Sequence, residues 1–265
     1  MRYCRFQHGD GPRYGLIERR GEEDVIAALI DFDESGQRSS SPAAGFKPVL
    51  LSEAKLLAPV VPSKIICVGR NYRDHAAEMG NEVPKEPLIF YKPPSAIIGP
   101  NEFIELPPES LTKRVDYEGE LGIVIGKRCR RLTEAEDALS YIRGYTMAND
   151  VTARDLQKTD SQWTRAKGFD TFCPVGPIVS DELSPSGKDG VELTTRHNGE
   201  QKQHGSSRDF IFKIDVVLRF ITQGITLEPG DLVLTGTPAG VGQLKSGDTV
   251  EISIPGIGTL KNGVR

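Results

Sequence analysis

Two carboxylates spaced to act together stand in Asp116-Tyr117-Glu118-Gly119-Glu120-Leu121-Gly122-Ile123-Val124-Ile125-Gly126, whose second half is apolar enough for an interior strand. On a strand, residues i and i+2 share a face about 6.5–7 Å apart, so Glu118 and Glu120 project together. Two acids at the head of a buried strand repel each other unless a proton or a cation intervenes. A hard divalent ion is one natural resolution. An exposed strand end carrying two solvated acids is the competing reading. A third carboxylate, Asp150, ends the strand-like Tyr145-Thr146-Met147-Ala148-Asn149. Thr152 followed by Asp155 fits an N-cap signal, which puts Asp150 at a strand-to-helix junction where ligands are often presented. Asp150 could equally open the helix with no ligand role.

His75 is one of four histidines, and Glu78 lies three residues on, which on a helical turn places both on one face. A carboxylate beside imidazole raises its basicity and orients it, as a general base requires. A plain surface contact is the alternative for this pair. Lys167, between Ala166 and Gly168, reads by itself as a solvated charge. Thr235-Gly236-Thr237-Pro238-Ala239-Gly240-Val241-Gly242 is glycine-rich and follows a strand. It lacks the Gly-Lys-Ser/Thr ending of a phosphate loop and misses Gly-x-Gly-x-x-Gly, so nucleotide binding is not supported. Backbone N–H groups approaching a small carboxylate remain open there.

These residues need elements to hold them. Ile65-Ile66-Cys67-Val68 reads as a buried strand feeding a loop with about two helical turns, which Gly80 stops. Residues 81–87 are polar and bounded by prolines, which suggests a mobile stretch. Leu88-Ile89-Phe90-Tyr91 and Phe103-Ile104-Glu105-Leu106 are further strands. Thr133 and Glu136 fit a capping box that opens a helix closed by Gly144. A longer helix is expected over 208–223, with Gly224 as its stop. Asn198-Gly199 marks a hairpin between strands at 191–197 and 200–203.

The chain has 265 residues, 37% hydrophobic and 26% charged, which excludes a wholly disordered polymer. A net charge of −4 leaves no basic footprint for nucleic acid. No apolar run approaches the roughly 20 residues of a membrane span, and the first residues are too polar for a signal peptide. A cytoplasmic protein is expected. Cys4, Cys67, Cys129 and Cys173 stand alone, which argues against a zinc site or disulfide framework. With 28 glycines and 18 prolines, turns and short strands should dominate. The expected class is α+β and strand-rich with few helices. A small β-rich N-terminal region (1–58) should precede a catalytic domain (59–265), with Pro59, Pro62 and Ser63 at the boundary.

Five ordered phrases together carry a resemblance. They are Gly69-Arg70-Asn71-Tyr72-Arg73-Asp74-His75, Tyr117-Glu118-Gly119-Glu120-Leu121, Asn149-Asp150-Val151-Thr152-Ala153-Arg154-Asp155-Leu156-Gln157, Lys167, and Thr235-Gly236-Thr237-Pro238. From about Lys64 onward the chain resembles the fumarylacetoacetate hydrolase family, in particular its short members that include acylpyruvases. The resemblance implies a mixed β-roll, normally a homodimer, in which Glu118, Glu120 and Asp150 bind one Mg²⁺, Mn²⁺ or Ca²⁺. It implies substrate contacts from Arg154, Gln157, Lys167 and Thr237, with Arg70 as a further candidate. His75 with Glu78 would be the family's water-activating dyad, on a segment that orders when substrate binds. Longer members supply a fourth acidic ligand just before the His-bearing loop, where this chain has Val68 and Gly69. Short members share that absence, which argues against fumarylacetoacetate itself as substrate.

The activity so implied is hydrolytic C–C cleavage of a small 2,4-dioxo acid, through a pyruvate enolate stabilised by the metal and Lys167. Rivals within the family are oxaloacetate decarboxylation, isomerisation or decarboxylation of 2-hydroxyhepta-2,4-diene-1,7-dioate, and ureidoglycolate cleavage. A catalytically silent dimer that binds a small dicarboxylate is the non-enzymatic alternative.

Overall fold

A strand as apolar as Leu121-Gly122-Ile123-Val124-Ile125 is stable only if something covers both of its faces. The computed structural model, which describes residues 1–9, 11–39, 45–78, 80 and 82–265, places this strand inside a main sheet, with a second sheet against one face and Ala58, Val60 and Ala96 in the cluster on the other. In chain order the principal strands begin with β1 (Arg2–His8), β2 (Gly11–Arg20), β3 (Glu23–Phe32), β4 (Ile65–Gly69) and β5 (Leu88–Lys92). They continue with β6 (Gly119–Ile125), β7 (Ile142–Asn149), β8 (Cys173–Ser180), β9 (Glu192–His197) and β10 (Glu200–Ser206). The last are β11 (Leu232–Leu234), β12 (Thr249–Ile254) and β13 (Gly258–Val264). The helices are α1 (Arg73–Glu78), α2 (Arg154–Thr159), α3 (Thr164–Lys167) and α4 (Ile214–Gly224).

The main sheet runs β3-β2-β1-β8-β7-β6-β11-β4-β5, antiparallel throughout except for the parallel pair β11 and β4. A second sheet contains β13, β12, β9 and β10, with Phe103–Ile104 on its edge. Alternation along β6 divides its side chains between two clusters. Leu121, Ile123 and Ile125 pack with Leu193, Val250 and Ile252 of the second sheet. Val124 points the other way, to Ile65, Cys67, Ala148 and Leu234. Strands take 43% of the residues and helices 16%, so the expected α+β, strand-rich class with few helices holds. The N-terminal strands share the main sheet, because β1 pairs with β8 at Arg2↔Ser180 and Tyr3↔Val179. No helix of the described residues is long and apolar enough to cross a membrane.

Two local expectations change. The Thr133 N–H and hydroxyl do donate to Glu136 Oε2, each at 2.9 Å, but no α-helix follows. A 3₁₀ turn spans Ala138–Tyr141, and Gly144 lies inside β7, where a Cβ would stand 2.8 Å from Val179 Cγ1. Neighbouring strands therefore claim this segment. The helix expected from 208 begins only at Ile214. A 3₁₀ turn spans Ser207–Asp209, and Asn71 ties down the backbone after it, since Ile211 N–H donates to Asn71 O and Phe212 N–H to Asn71 Oδ1. The stretch 81–87 starts at a position outside the described residues, and 82–87 form neither helix nor strand. The Asn198-Gly199 hairpin forms as expected, with both residues at positive φ.

One buried acid fastens the segment before β4 to the strand beside it. Asp231, fully buried, accepts hydrogen bonds from the N–H groups of Ser63, Lys64 and Glu228 and from the Ser63 hydroxyl, and it pairs with Lys64 Nζ. Asp231→Ala strands these donors together and should cost about 3–5 kcal/mol of unfolding free energy in urea titration. A loss below about 1 kcal/mol would contradict the anchoring role.

Candidate active site

The site grows from the register of β6 and β7. Gly119 faces Asn149 and Glu120 faces Ala148, while the Asp150 N–H donates to Glu118 O at 2.8 Å. Asn149 Oδ1 accepts from the Glu118 N–H at 2.9 Å. The residue between the two glutamates has to be glycine, because a Cβ there would collide with Thr195 Oγ1 of the second sheet. Carboxylate oxygens of Glu118, Glu120 and Asp150, all buried, lie within 4.8 Å of one another. Thr152 does not cap α2. It sits in a two-residue strand against Asp116, and its hydroxyl donates to Asp150 O at 2.8 Å, which fixes the turn that presents Asp150. The capped acid is Asp155, which accepts from Thr112 Oγ1 and from the Lys113 and Leu156 N–H groups.

Buried cations meet these acids. Lys167, on α3 and 2% exposed, donates to Glu118 Oε2 at 2.8 Å and to Asp150 Oδ2 at 2.6 Å. Lys92, which ends β5, donates to Asp150 Oδ1 at 2.7 Å and to Val151 O at 3.1 Å. Arg154 reaches Glu118 Oε1 at 2.6 Å, Asp116 Oδ2 at 3.0 Å and Gln157 Oε1 at 2.7 Å. Burial opposes charge on Glu118, but Lys167 and then Arg154 overcome it and hold its pKa below the ordinary value. Burial also opposes charge on Lys167, yet Asp150 and Glu118 keep it an ammonium. Glu120 differs. Burial first, then Asp150 and Glu118, push its pKa well up, and the Gly236 N–H at 2.8 Å is its hydrogen bond among the described residues.

This donor set suits a hard cation. Oxygen ligands at about 2.1–2.5 Å from one ion stand no more than about 5 Å apart, and the oxygens of these acids lie within 4.8 Å of one another. A bound cation would also resolve the repulsion that keeps Glu120 protonated. The triad can therefore hold a metal ion.

His75 is brought to the same cavity by β4 and α1. Asn71 locks the intervening turn, donating to Thr235 O at 2.9 Å and Phe212 O at 3.2 Å. His75 Nδ1 lies 3.2 Å from Glu78 Oε2, and Glu78 Oε1 accepts from the Gly240 N–H at 3.0 Å. Thr237 Oγ1 donates to Gly119 O and accepts from Gln203, both at 2.8 Å. The cavity measures about 270 Å³, which suits a small ligand. Glu118, Glu120, Asp150, Lys167 and His75 line it, as do Arg70, Arg154, Gln157 and Thr237; Glu78 stands behind His75. Lys92, Asp116, Phe90 and Trp163 were not anticipated. Phe90 and Trp163 meet edge to face at 5.2 Å, and Lys167 Nζ sits 4.9 Å from the Phe90 ring centroid. A lysine closing an apolar strand, with Asp150 distant in sequence, gave no sign that Lys92 would be buried.

Charge on Glu120 sets the pH behaviour. Its proton persists above the ordinary value of 4.5, so the cation-free fold loses stability as pH rises through that range. Glu118 acts oppositely: its contribution is present above its ordinary value of 4.5 and is lost as pH falls. A cation must displace the Glu120 proton, so its binding should strengthen as pH rises. The rise in Tm that Mg²⁺ or Mn²⁺ produces should grow as pH climbs above that ordinary value, and Glu120→Gln should abolish the dependence. A metal-induced shift independent of pH would contradict this charge assignment.

Comparison with known proteins agrees with the geometry. Residues 64–265 match the family described as fumarylacetoacetate (FAA) hydrolase C-terminal, and residues 1–59 match Rv2993c-like, N-terminal. Protein Rv2993c of Mycobacterium tuberculosis is 53% identical over 264 residues, covering 100% of this chain and 98% of the relative. Oxaloacetate tautomerase YisK of Bacillus subtilis is 46% identical over 260 residues, covering 94% and 86%. The crystal structure of a 5-carboxymethyl-2-hydroxymuconate delta-isomerase from Mycobacterium smegmatis superposes with a TM-score of 0.84 at 43% identity, covering 100% and 99%. Sharing its fold and nearly its whole length with such relatives, this chain is an enzyme of the fumarylacetoacetate hydrolase family.

Proposed function

We propose that the protein interconverts the enol and keto forms of a small 2-oxo diacid of the oxaloacetate class, by proton transfer at the carbon next to the 2-oxo group. The observation that carries this reading is the meeting, in one cavity, of three acids able to hold a cation, a protonated lysine and an imidazole backed by a carboxylate. The names of the Bacillus relative and the M. smegmatis structure, a tautomerase and an isomerase, support proton transfer over bond cleavage. Mg²⁺, Mn²⁺ or Ca²⁺ held by Glu118, Glu120 and Asp150 would stabilise negative charge on the 2-oxo oxygen.

The chain's own groups divide the remaining work. Lys167 is held as an ammonium, so it donates to developing charge and is no base. His75 is the base. With Nδ1 engaged by Glu78, Nε2 is the ring nitrogen that exchanges a proton with carbon. In the enol-to-keto direction the imidazolium gives its proton to carbon, the hydroxyl proton leaves to solvent, and solvent restores the imidazolium. Gln157 and Thr237 on the cavity wall orient the acid head.

The His75–Glu78 pair also favours a second reading, hydrolysis of a 2,4-dioxo acid, because the same imidazole can deprotonate water. Loss of enol absorbance from oxaloacetate, followed with Mg²⁺ and with EDTA, separates the readings when pyruvate release from oxaloacetate and acetylpyruvate is measured in parallel. Metal-dependent enol decay without pyruvate is the expected result. Pyruvate from acetylpyruvate would establish the hydrolase, and pyruvate from oxaloacetate a decarboxylase. His75→Ala should slow the wild-type reaction about 10²–10⁴-fold, and an unchanged rate would remove His75 from the mechanism.

A further inference from the structure

The cations around the cavity fall into two kinds. Arg154 and Lys167 are committed to Asp116, Glu118 and Asp150. Arg70 and Lys158 also line the cavity, yet neither has a carboxylate or a side-chain hydrogen bond among the described residues. Lys158 is exposed on α2, one residue past Gln157, and Arg70 is half-buried at the end of β4. Arg70 holds φ at 60°, in the left-handed region that an L-residue adopts at a cost. Glycine would relieve that cost. The hydrogen bonds of Asn71 to Thr235 and Phe212 impose the turn whatever side chain Arg70 carries. An arginine there therefore serves the cavity and not the backbone.

An unpaired guanidinium and an unpaired ammonium on one small cavity call for an anion. Gln157 and Thr237, with Lys167 and a cation that the acidic triad would hold, accommodate the 2-oxo acid head. The edge-to-face pair Phe90 and Trp163 offers apolar surface to a short carbon chain. We propose that Arg70, assisted by Lys158, forms the subsite for the substrate's second carboxylate, so that the enzyme selects 2-oxo diacids over monoacids. This rests on the reading of the cavity as a 2-oxo acid site. Arg70 supplies most of the selectivity, because a half-buried guanidinium binds a carboxylate in a fixed fork while an exposed lysine is screened by water.

The test uses two matched pairs. Oxaloacetate and its 4-methyl ester differ only in whether the second carboxylate is free, and both report turnover. Malate and 2-hydroxybutyrate, neither of which can enolise, report binding by calorimetric titration in Mg²⁺. The wild type should prefer the diacid of each pair by about 10–100-fold. Arg70→Met should remove at least about tenfold of that preference, weakening the diacid of each pair more than the monoacid. Lys158→Met should remove about 2–5-fold, and Arg70→Lys should restore part of the loss. A wild type without preference would overturn the assignment, as would an Arg70→Met protein that keeps it or weakens both members of a pair equally. Preferential malate binding without turnover of oxaloacetate would refute the tautomerase reading alone and leave the subsite standing.

Discussion

Everything at this site depends on closely packed charges that the fold has withdrawn from water. Glu118, Glu120 and Asp150 would repel one another if left alone, and burial raises the cost of ionising Glu118 and Glu120. Lys167, Lys92 and Arg154 offset the repulsion for two of them, through hydrogen bonds of 2.6–2.8 Å. Glu120 pairs with no such cation among the described residues, and burial with the two neighbouring acids pushes its pKa well up. The site is thus short of one positive charge at one point. That shortage is what would let the triad hold a cation, with Glu120 as the acid whose charge the cation would favour.

The scaffold exists to make this arrangement tolerable. Register between β6 and β7 fixes Glu118, Glu120 and Asp150, and the tight approach of Thr195 leaves room only for glycine between the two glutamates. The cations come from separate elements: Lys92 from β5, Arg154 from α2 and Lys167 from α3. Asn71 draws the His75-bearing turn, the 210–212 segment and the Thr235 loop together, so the general base is located by the same contacts that delay α4. Positioning of the base and of the acids is therefore distributed over much of the chain, and short helices suffice because tertiary hydrogen bonds hold them.

Much of this was legible in the sequence because strand geometry is local. Glu118 and Glu120 at i and i+2 on an apolar strand share a face whatever the fold, whereas the meeting of Asp150 with them was implied by the family resemblance and not by strand geometry. His75 and Glu78 at i and i+3 are likewise a local pattern. What could not be read was set at a distance. Lys167 looks solvated until α3 folds it against Asp150, and Lys92 looks like an ordinary strand end. The late start of α4 is decided by Asn71, far away in sequence, and the Thr152 hydroxyl turns back to Asp150 O instead of capping a helix. Periodicity and capping signals describe what a segment can do by itself, and here neighbouring chain overrules them.

The most direct test is the metal stoichiometry of the purified protein. Equilibrium dialysis against Mn²⁺ should find one ion retained per chain, and Asp150→Asn should lose it while remaining folded by circular dichroism. Retention of no ion by the wild type, or undiminished retention by Asp150→Asn, would contradict the claim that these buried acids are arranged to hold a cation.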